Sequence, residues 1–299
     1  MIEDKFIDLY AANSRVPVGI ARQEIILTYA LALMHQRGLL GRLAFKGGTC
    51  LRKVFFGKQY RFSEDLDFTA LENARPESLL REIRQIFTSP FHEIAFDEVE
   101  GSERITPGGI GIQFEYRTPS AIGAFGLETS FRSEPLLEIT RRPLQEQSYF
   151  KRLEVPIPEV YCLAFEEVVS EKVRATFQRT RPRDVYDLYF CLQRPMNLGQ
   201  LKGLVLLKCW QARDPFDIDR FLRNLHSKKY NWGELDNLLP KGGRPGPEKM
   251  IKLIESKAVM FWKLSEEEQS IIEDSRRHRA RKLVDSTVAR LRNLHEIGG

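Results

Sequence analysis

A pair of glycines at positions 47 and 48 separates a strand pattern from a helix pattern. The run RLAF (42–45) predicts a short strand, and KGGTCLRKVFF (46–56) breaks it at the glycines before continuing with helical periodicity. RFSEDLDFTAL (61–71) then predicts a second strand. Because a strand, a tight turn, a short helix and another strand follow in close order, the front half of the chain is constrained to an α/β core.

The pattern of elements changes further along the chain. PESLLREIRQIF (76–87) predicts a helix with proline in its first turn, and alternating stretches between residues 92 and 131 predict antiparallel strands. A segment rich in Pro, Arg and Gln follows, after which helical patterns dominate. We therefore predict an α/β (α+β) fold, with a mixed-sheet core in residues 1–150 and a mostly helical C-terminal lobe in residues 151–299.

Composition narrows the class of protein. With 42% hydrophobic and 29% charged residues and a net charge of +5, the chain has the composition of an ordinary globular protein. The mild positive charge permits an anionic partner such as RNA or a nucleotide without requiring one. The four cysteines lack CxxC or disulfide-like spacing, and the apolar run IILTYALALM is shorter than the roughly 20 residues that span a bilayer. We expect a soluble, cytoplasmic protein with no membrane partner.

Two aspartates, Asp65 and Asp67, lie two positions apart in the second predicted strand. Side chains alternate along a strand, so Arg61 and Ser63 are expected to share a face with them. Two carboxylates on one face repel each other unless a cation lies between them, and Mg²⁺ prefers one or two carboxylates completed by water and phosphate oxygens. The alternative is an edge strand whose polar face meets water, and an isolated DxD pattern favours that alternative.

The glycine turn upstream suits a phosphate. At a strand-to-helix turn the free backbone N–H groups can hold an anion, Gly47 and Gly48 permit close approach, and Thr49 adds a hydroxyl. The GxxxxGK[ST] spacing of a Walker A loop is absent. The alternative is a simple tight turn capped by Thr49.

The combination of these motifs resembles the nucleotidyltransferase superfamily that includes DNA polymerase beta. The ordered blocks KGGTCLRK, RFSEDLDF, LETSFR, SEKVRA and RPRDVYDLY are similar to the AbiEii/AbiGii (MenT-type) toxin family, over residues 45–189. The resemblance implies a toxin of a toxin–antitoxin pair, with a role in phage defence and an antitoxin on a separate chain. It also implies transfer of a nucleotide from an NTP, with Mg²⁺ (or Mn²⁺), to an acceptor, for which tRNA 3′ ends are the leading candidate.

The resemblance implies roles for individual residues of the front half. In such enzymes the DxD carboxylates hold the metal and, through it, the triphosphate, while the GG[ST] turn grips the phosphates. These roles map onto Asp65 and Asp67 for the metal, and onto Gly47, Gly48, Thr49 and Ser63 for the nucleotide. Glu128, flanked by Gly126 and Ser130 on a predicted strand, suits the third acidic position, which binds a second metal or accepts a proton. Many relatives have Asp there, and a solvent-facing Glu is the alternative.

The helical half supplies a lysine and two further acids. Lys172 falls between Phe165 and Val168 on the helical wheel, inside the apolar arc, so it either extends to solvent or faces an anion within the protein. The resemblance favours a charge on the nucleotide phosphates. It also implies a functional aspartate in RPRDVYDLY, for which we favour Asp184 and keep Asp187 as the alternative, because the spacing from the lysine varies among relatives. The structural alternative for Asp184 is that an acid in the first turn of a helix stabilises the helix dipole.

The C-terminal segment contains a cluster of basic residues. RRHRARK (276–282), with Arg290 and Arg292, gives the C-terminal helix a basic surface, which is either merely solvated or follows RNA phosphates.

One rival function is the same transfer chemistry on a protein or a small molecule, since a fold does not determine the acceptor. The other is a regulator that binds a nucleotide without transferring it.

Overall fold

The computed structural model describes residues 2–71, 75–132, 134–240 and 243–298. The chain forms two compact units whose sequence ranges alternate. The first unit comprises Met1–Glu134, Ile139–Leu163 and Asn237–Gly243, and the second comprises Pro135–Glu138, Ala164–Asp236 and Arg244–Gly299. The predicted division into a catalytic core and a helical lobe at residue 150 stays a prediction.

A mixed β-sheet forms the centre of the first unit. Its strands are β1 (Leu43–Lys46), β2 (Leu66–Ala70), β3 (Ala95–Glu98), β4 (Arg104–Thr106), β5 (Gly109–Thr118), β6 (Ala121–Ser130), β7 (Thr140–Pro143) and β8 (Glu159–Cys162). Within the described residues the order is β3-β5-β6-β2-β1-β8-β7, with β4 also paired to β5. The β1–β8 and β2–β6 pairs are parallel and the other pairs are antiparallel. The predicted mixed-sheet α/β class is confirmed.

Helix α2 (Val18–Gln36) of the first unit is buried on nearly every side. The helices of this unit are α1 (Asp4–Ser14), α2 itself, α3 (Gly47–Cys50, continued by a π-helical segment over Leu51–Phe56) and α4 (Pro76–Ile86). Helix α2 ends where Gly38 adopts a left-handed conformation. Among the described residues, no single helix has the length and apolar composition to cross a bilayer. In the described part of the chain, α1 and α2 meet those criteria when they are taken together, and they are bent by 114°.

A fully buried charged cluster joins α2 to the segment after α3. The Glu24 carboxylate lies 3.1 Å from Arg52 Nε and 2.9 Å from Lys53 Nζ. Burial acts to raise the pKa of Glu24, but the two cations outweigh it and hold that pKa below its ordinary value. Arg52 also donates to Tyr60 O and stacks on Phe62, with 3.6 Å from the guanidinium carbon to the ring centroid. The cluster therefore anchors the chain that leads towards Asp65.

The second strand of the sheet is shorter than its sequence pattern predicts. Residues 61–65 lie outside regular structure and β2 begins at Leu66, so the predicted strand start at Arg61 is wrong. The reason is that side chains and loops satisfy this backbone in place of neighbouring strands. Phe62 N–H donates to Leu238 O at 2.7 Å, and Gln23 Nε2 donates to Glu64 O at 3.0 Å.

The second unit is helical in its described residues. Its helices are α5 (Phe165–Gln178), α6 (Pro182–Cys191), α7 (Leu198–Gln211), α8 (Ile218–Leu225), α9 (Gly233–Asp236), α10 (Pro247–Ala258), α11 (Glu266–Asp274) and α12 (Arg281–Gly298). Local signals define several helix starts: Pro182 opens α6, and Ser265 forms a reciprocal capping box with Glu268 at α11. In the apolar arc predicted for α5, Val168, Val169 and Val173 are buried, whereas Phe165 at the start of the helix is half-buried.

Candidate active site

The glycine turn and Asp67 touch each other in the first unit. Gly47 opens α3 with φ of +75°, in the left-handed region that favours glycine. A Cβ placed on Gly47 would lie 2.8 Å from the Cβ of Asp67, closer than real Cβ atoms come to a neighbour. Sheet pairing sets this contact, since β1 leads directly into the turn and Lys46 on β1 is in register with Asp67 on β2. Only glycine fits here.

The second glycine of the turn packs against the loop that precedes β2. A Cβ on Gly48 would meet the Arg61 guanidinium and would lie 3.1 Å from Ser63 Oγ. Thr49 is buried and its hydroxyl donates to the backbone oxygen of Asp65. The predicted cluster of Gly47, Gly48, Thr49, Ser63, Asp65 and Asp67 therefore comes together in three dimensions, even though Ser63 and Asp65 lie in a loop.

Asp65 and Asp67 are both half-buried. Asp65 Oδ1 accepts a hydrogen bond of 3.1 Å from the Gly126 N–H on β6, which orients its carboxylate. A Cβ on Gly126 would come within 2.9 Å of the same oxygen, so this strand position also favours the absence of a side chain. Partly exposed carboxylates such as these two are the kind of donor that Mg²⁺ takes from a protein.

Glu128 lies beside Asp67 on the neighbouring strand. The parallel pairing of β2 with β6 puts Asp67 in register with Glu128, and residues in register share a face of the sheet. Glu128 is exposed, and its carboxylate lies 2.8 Å from Arg104 Nη2 on β4. Strand β5 lies between β4 and β6, and its residue in register with both Arg104 and Glu128 is Gly111. Because Gly111 has no side chain, Arg104 can reach across β5 to Glu128. The structure therefore brings the third predicted acid next to the DxD pair and gives it a cationic partner.

Lys172, Asp184 and Asp187 come together in the second unit. Lys172 Nζ on α5 lies 2.7 Å from Asp187 Oδ2 and 3.6 Å from Asp184 Oδ1 on α6, and the lysine side chain is 11% exposed. Arg179 binds Asp184 through two nitrogens at 2.7 and 3.2 Å. Burial acts to raise the pKa of Asp184, but Lys172 and Arg179 outweigh it and hold that pKa below its ordinary value. Lys172 therefore pairs with carboxylates of α6 and does not extend to solvent, and its predicted role on the nucleotide phosphates stays a prediction.

The sequence did not single out Lys46, Arg104 or Arg179 as members of these clusters. Lys46 and Arg104 depend on strand register, which no local pattern reveals. Arg61 was predicted to share a face with the two aspartates, yet its side chain is 2% exposed and donates to Phe62 O. For Arg179 a signal was available, because it lies five residues before Asp184, at the end of α5.

Comparison with known proteins identifies the family. A model of the nucleotidyl transferase AbiEii toxin family, of type IV toxin–antitoxin systems, matches residues 31–244, which is more than half of the chain. The chain belongs to the AbiEii family. Membership makes it a nucleotidyltransferase toxin of a type IV toxin–antitoxin system, with an NTP substrate and an antitoxin partner.

Solved structures agree with the AbiEii fold. The nucleotidyltransferase toxin MenT4 from Mycobacterium tuberculosis H37Rv superimposes with a TM-score of 0.80 at 21% identity, covering 98% of this chain and 100% of its own. JHP933 from Helicobacter pylori gives a TM-score of 0.50 at 18% identity, covering 89% of this chain and 99% of its own. Among curated protein sequences none matches this chain. At these identities the likeness concerns the fold.

Proposed function

We propose that this AbiEii protein transfers a nucleoside monophosphate from an NTP to the 3′ end of tRNA, with Mg²⁺ or Mn²⁺ as the metal. One observation carries the proposal: the Asp67 side chain packs against Gly47 at the first turn of α3. A helix N-terminal turn binds phosphate through its N–H groups, and a carboxylate binds a cation. Contact between the two supports a metal ligand at Asp67 beside a phosphate-binding turn. Both NTP and tRNA are cytoplasmic, so we place the reaction there, with arrest of translation and phage defence as its consequences.

Asp65 and Asp67 fit the metal that the family implies. Their oxygens are hard donors, and two carboxylates leave room for water and phosphate ligands, as Mg²⁺ requires. In the described ranges no three His, Cys, Asp or Glu side chains group closely enough to complete a metal site from protein alone. When bound, the cation would neutralise charge on the triphosphate and orient the leaving pyrophosphate.

The protein's own groups bind the phosphates and accept the proton of the attacking hydroxyl. The N–H groups of Gly47 to Thr49 hold phosphate oxygens. Lys172, which is oriented by Asp187 and Asp184, supplies a positive charge for the phosphates. The acceptor hydroxyl attacks the α-phosphorus, the bond to the β-phosphate breaks and pyrophosphate leaves. Glu128 takes the proton of the attacking hydroxyl once its link to Arg104 opens. A second metal at Glu128 is the alternative role.

A transfer assay tests this function. Each of the four α-labelled NTPs is incubated with total tRNA and Mg²⁺, using wild type, Asp67→Asn and Lys172→Ala. Asp97→Asn serves as the matched control, because Asp97 is an exposed aspartate on β3 of the same sheet. We expect label on tRNA from one NTP with wild type and Asp97→Asn, and a loss of about 100-fold or more in the other two variants.

A binding measurement separates the metal from the chemistry. Calorimetric titration of Mn²⁺ in the presence of a non-hydrolysable NTP analogue should show binding to wild type and much weaker binding to Asp67→Asn. Pyrophosphate release with cell extract but without labelled RNA would move the acceptor to a protein or a small molecule. Binding of the analogue without any transfer would replace the enzyme by the nucleotide-binding regulator.

A further inference from the structure

A dense cluster of positive charge links α11 to α12 in the second unit. From Ser275 to Val284 the sequence SRRHRARKLV contains no acid. Its five permanent cations, which we call the basic turn, are all exposed: Arg276, Arg277, Arg279, Arg281 and Lys282. Among the described residues, Arg281 alone of the five has an acidic partner, the exposed Asp285 at 3.6 Å. The basic turn therefore presents largely uncompensated charge to solvent.

The backbone of the basic turn is held in a defined conformation. The Asp274 carboxylate accepts hydrogen bonds of 2.9 Å from the N–H groups of Arg279 and Ala280 and from Trp210 Nε1. His278 stacks on the Trp210 ring with centroids 3.9 Å apart and planes 8° apart, and its Nε2 lies 2.7 Å from Trp210 O. Trp210 itself is 3% exposed. Because the Asp274 carboxylate binds the backbone and Trp210, it does not pair with the cations of the basic turn. Arg281 lies over the Trp210 ring, with 5.9 Å from its guanidinium carbon to the ring centroid.

The placement of the cations opposes the local electrostatics of α12. Arg281 and Lys282 occupy the first turn of this 18-residue helix, and that turn contains no acid. The N-terminal end of a helix carries partial positive charge, so cations there are unfavourable and an anion is favourable. Five like charges within seven residues also repel one another. Such an arrangement of cations lowers stability, and it is expected where a functional role offsets that loss.

The other arginines of α12 have structural partners. Arg290 Nη1 lies 2.9 Å from Glu267 of α11, and Arg292 Nε donates to Leu136 O at 2.9 Å. They therefore tie α12 to its neighbours within the second unit. The basic surface predicted from the sequence for the whole C-terminal helix is thereby reduced to residues 276–282, most of which precede the helix.

We propose that the basic turn binds the phosphate backbone of the RNA acceptor. Guanidinium groups pair with phosphate oxygens through two parallel hydrogen bonds, and several of them along one surface give affinity without reading sequence. An acidic protein partner is less suited, because stable protein interfaces are anchored by buried apolar side chains. Among the described residues, no large exposed apolar side chain lies between 265 and 293. This inference rests on the proposed RNA acceptor.

Salt-dependent binding of tRNA to the full-length protein tests the basic turn. Fluorescence anisotropy with labelled total tRNA is measured between 50 and 300 mM KCl for wild type and for the triple variant Arg277→Gln, Arg279→Gln and Lys282→Gln. The matched control, Lys228→Gln, Lys249→Gln and Lys252→Gln, removes the same charge from three exposed lysines elsewhere in the second unit. Equal thermal unfolding midpoints for the three proteins establish that each is folded.

We expect the turn variant to lose about 100-fold in tRNA affinity at 0.1 M salt, and the slope of log affinity against log salt to fall by about 2. The control should stay within about two-fold of wild type, with its slope unchanged. Equal losses in the two variants would show that net charge alone matters and would overturn the inference, as would no loss in the turn variant.

Transfer kinetics on the same proteins separate this inference from the proposed function. The turn variant should show a raised KM for tRNA with little change in kcat at saturating tRNA, because the cations hold the acceptor without touching the reacting atoms. If wild type labels tRNA and the turn variant keeps its KM, the inference is wrong and the function stands. If wild type labels no RNA while the turn variant still loses tRNA affinity, the proposed acceptor is wrong, and of the inference only RNA binding by the basic turn stands.

Discussion

Replacing Gly47 by alanine tests whether the contact between the glycine turn and Asp67 is functional. Gly47 and Gly38 both have left-handed backbone conformations, with φ of +75° and +79°. A residue with a Cβ costs roughly 1–2 kcal/mol in that region. For Gly38→Ala this strain is the whole expected cost in unfolding free energy, because the added Cβ meets nothing within 4 Å. Gly38→Ala is therefore the matched control.

Gly47→Ala carries the same strain and also a collision. Its added Cβ would lie 2.8 Å from the Asp67 Cβ, whereas carbon atoms in contact rest about 3.5–4.0 Å apart. Asp67 or the turn must therefore move by about 1 Å. A misplacement of that size at a reacting centre can lower a rate by about 100-fold.

The assay compares urea unfolding and nucleotide transfer for the two variants. Gly38→Ala should lose roughly 1–2 kcal/mol of unfolding free energy and keep kcat/KM within about two-fold. Gly47→Ala should lose more stability, and its kcat/KM should fall by about 100-fold. Equal effects of the two substitutions on transfer would refute the reasoning, because they would show that the approach of Asp67 to the turn has no catalytic consequence.

Three further outcomes follow from the buried charges. Lys172→Ala should lower the unfolding free energy by about 3–5 kcal/mol in urea titrations, because it removes the cation that lies 2.7 Å from the buried Asp187 carboxylate, whereas Asp184 keeps Arg179. Adding Asp187→Asn should recover part of that stability but not the transfer activity. The lowered pKa of Asp184 means that its ion pairs stabilise the fold above pH 3.8 and that this stabilisation is lost as the pH falls further. Asp184→Asn should therefore flatten the dependence of the unfolding free energy on pH in that acid range; an unchanged acid limb would contradict the ion pairing. Glu24→Gln should destabilise the protein by about 3–5 kcal/mol, because Arg52 and Lys53 would keep buried charges without a counter-charge, and a loss below 1 kcal/mol would show that the cluster is not coupled in this way.

Local patterns predicted the elements whose signals lie within a few residues. The glycines at 47 and 48 mark a turn that needs no distant partner, and Gly47 has a left-handed conformation there. The apolar stripe of α5 follows from a period of 3.6 residues, and it also singles out Lys172 as a lysine within an apolar arc. These features depend on backbone stereochemistry and helix geometry, so a single sequence contains them.

The predicted start of β2 is wrong because a local pattern does not show which groups the backbone will bond to. RFSED has the alternation of a strand, yet its backbone groups bond to Gln23 and Leu238, which are distant in sequence. Alternation describes the side chains, whereas a strand requires a neighbour that accepts and donates the ladder hydrogen bonds.

The sequence by itself determined which chemical groups are present and in what order: a glycine turn, two aspartates, a third acid on a strand, and a lysine followed by two acids. Only the tertiary structure decided their partners. Strand register puts Lys46 and Glu128 on either side of Asp67, and helix packing sets Lys172 between two carboxylates. The physical reason is that register and packing minimise the free energy of the whole sheet or helical unit, so the neighbours of a residue depend on contacts that no local window contains.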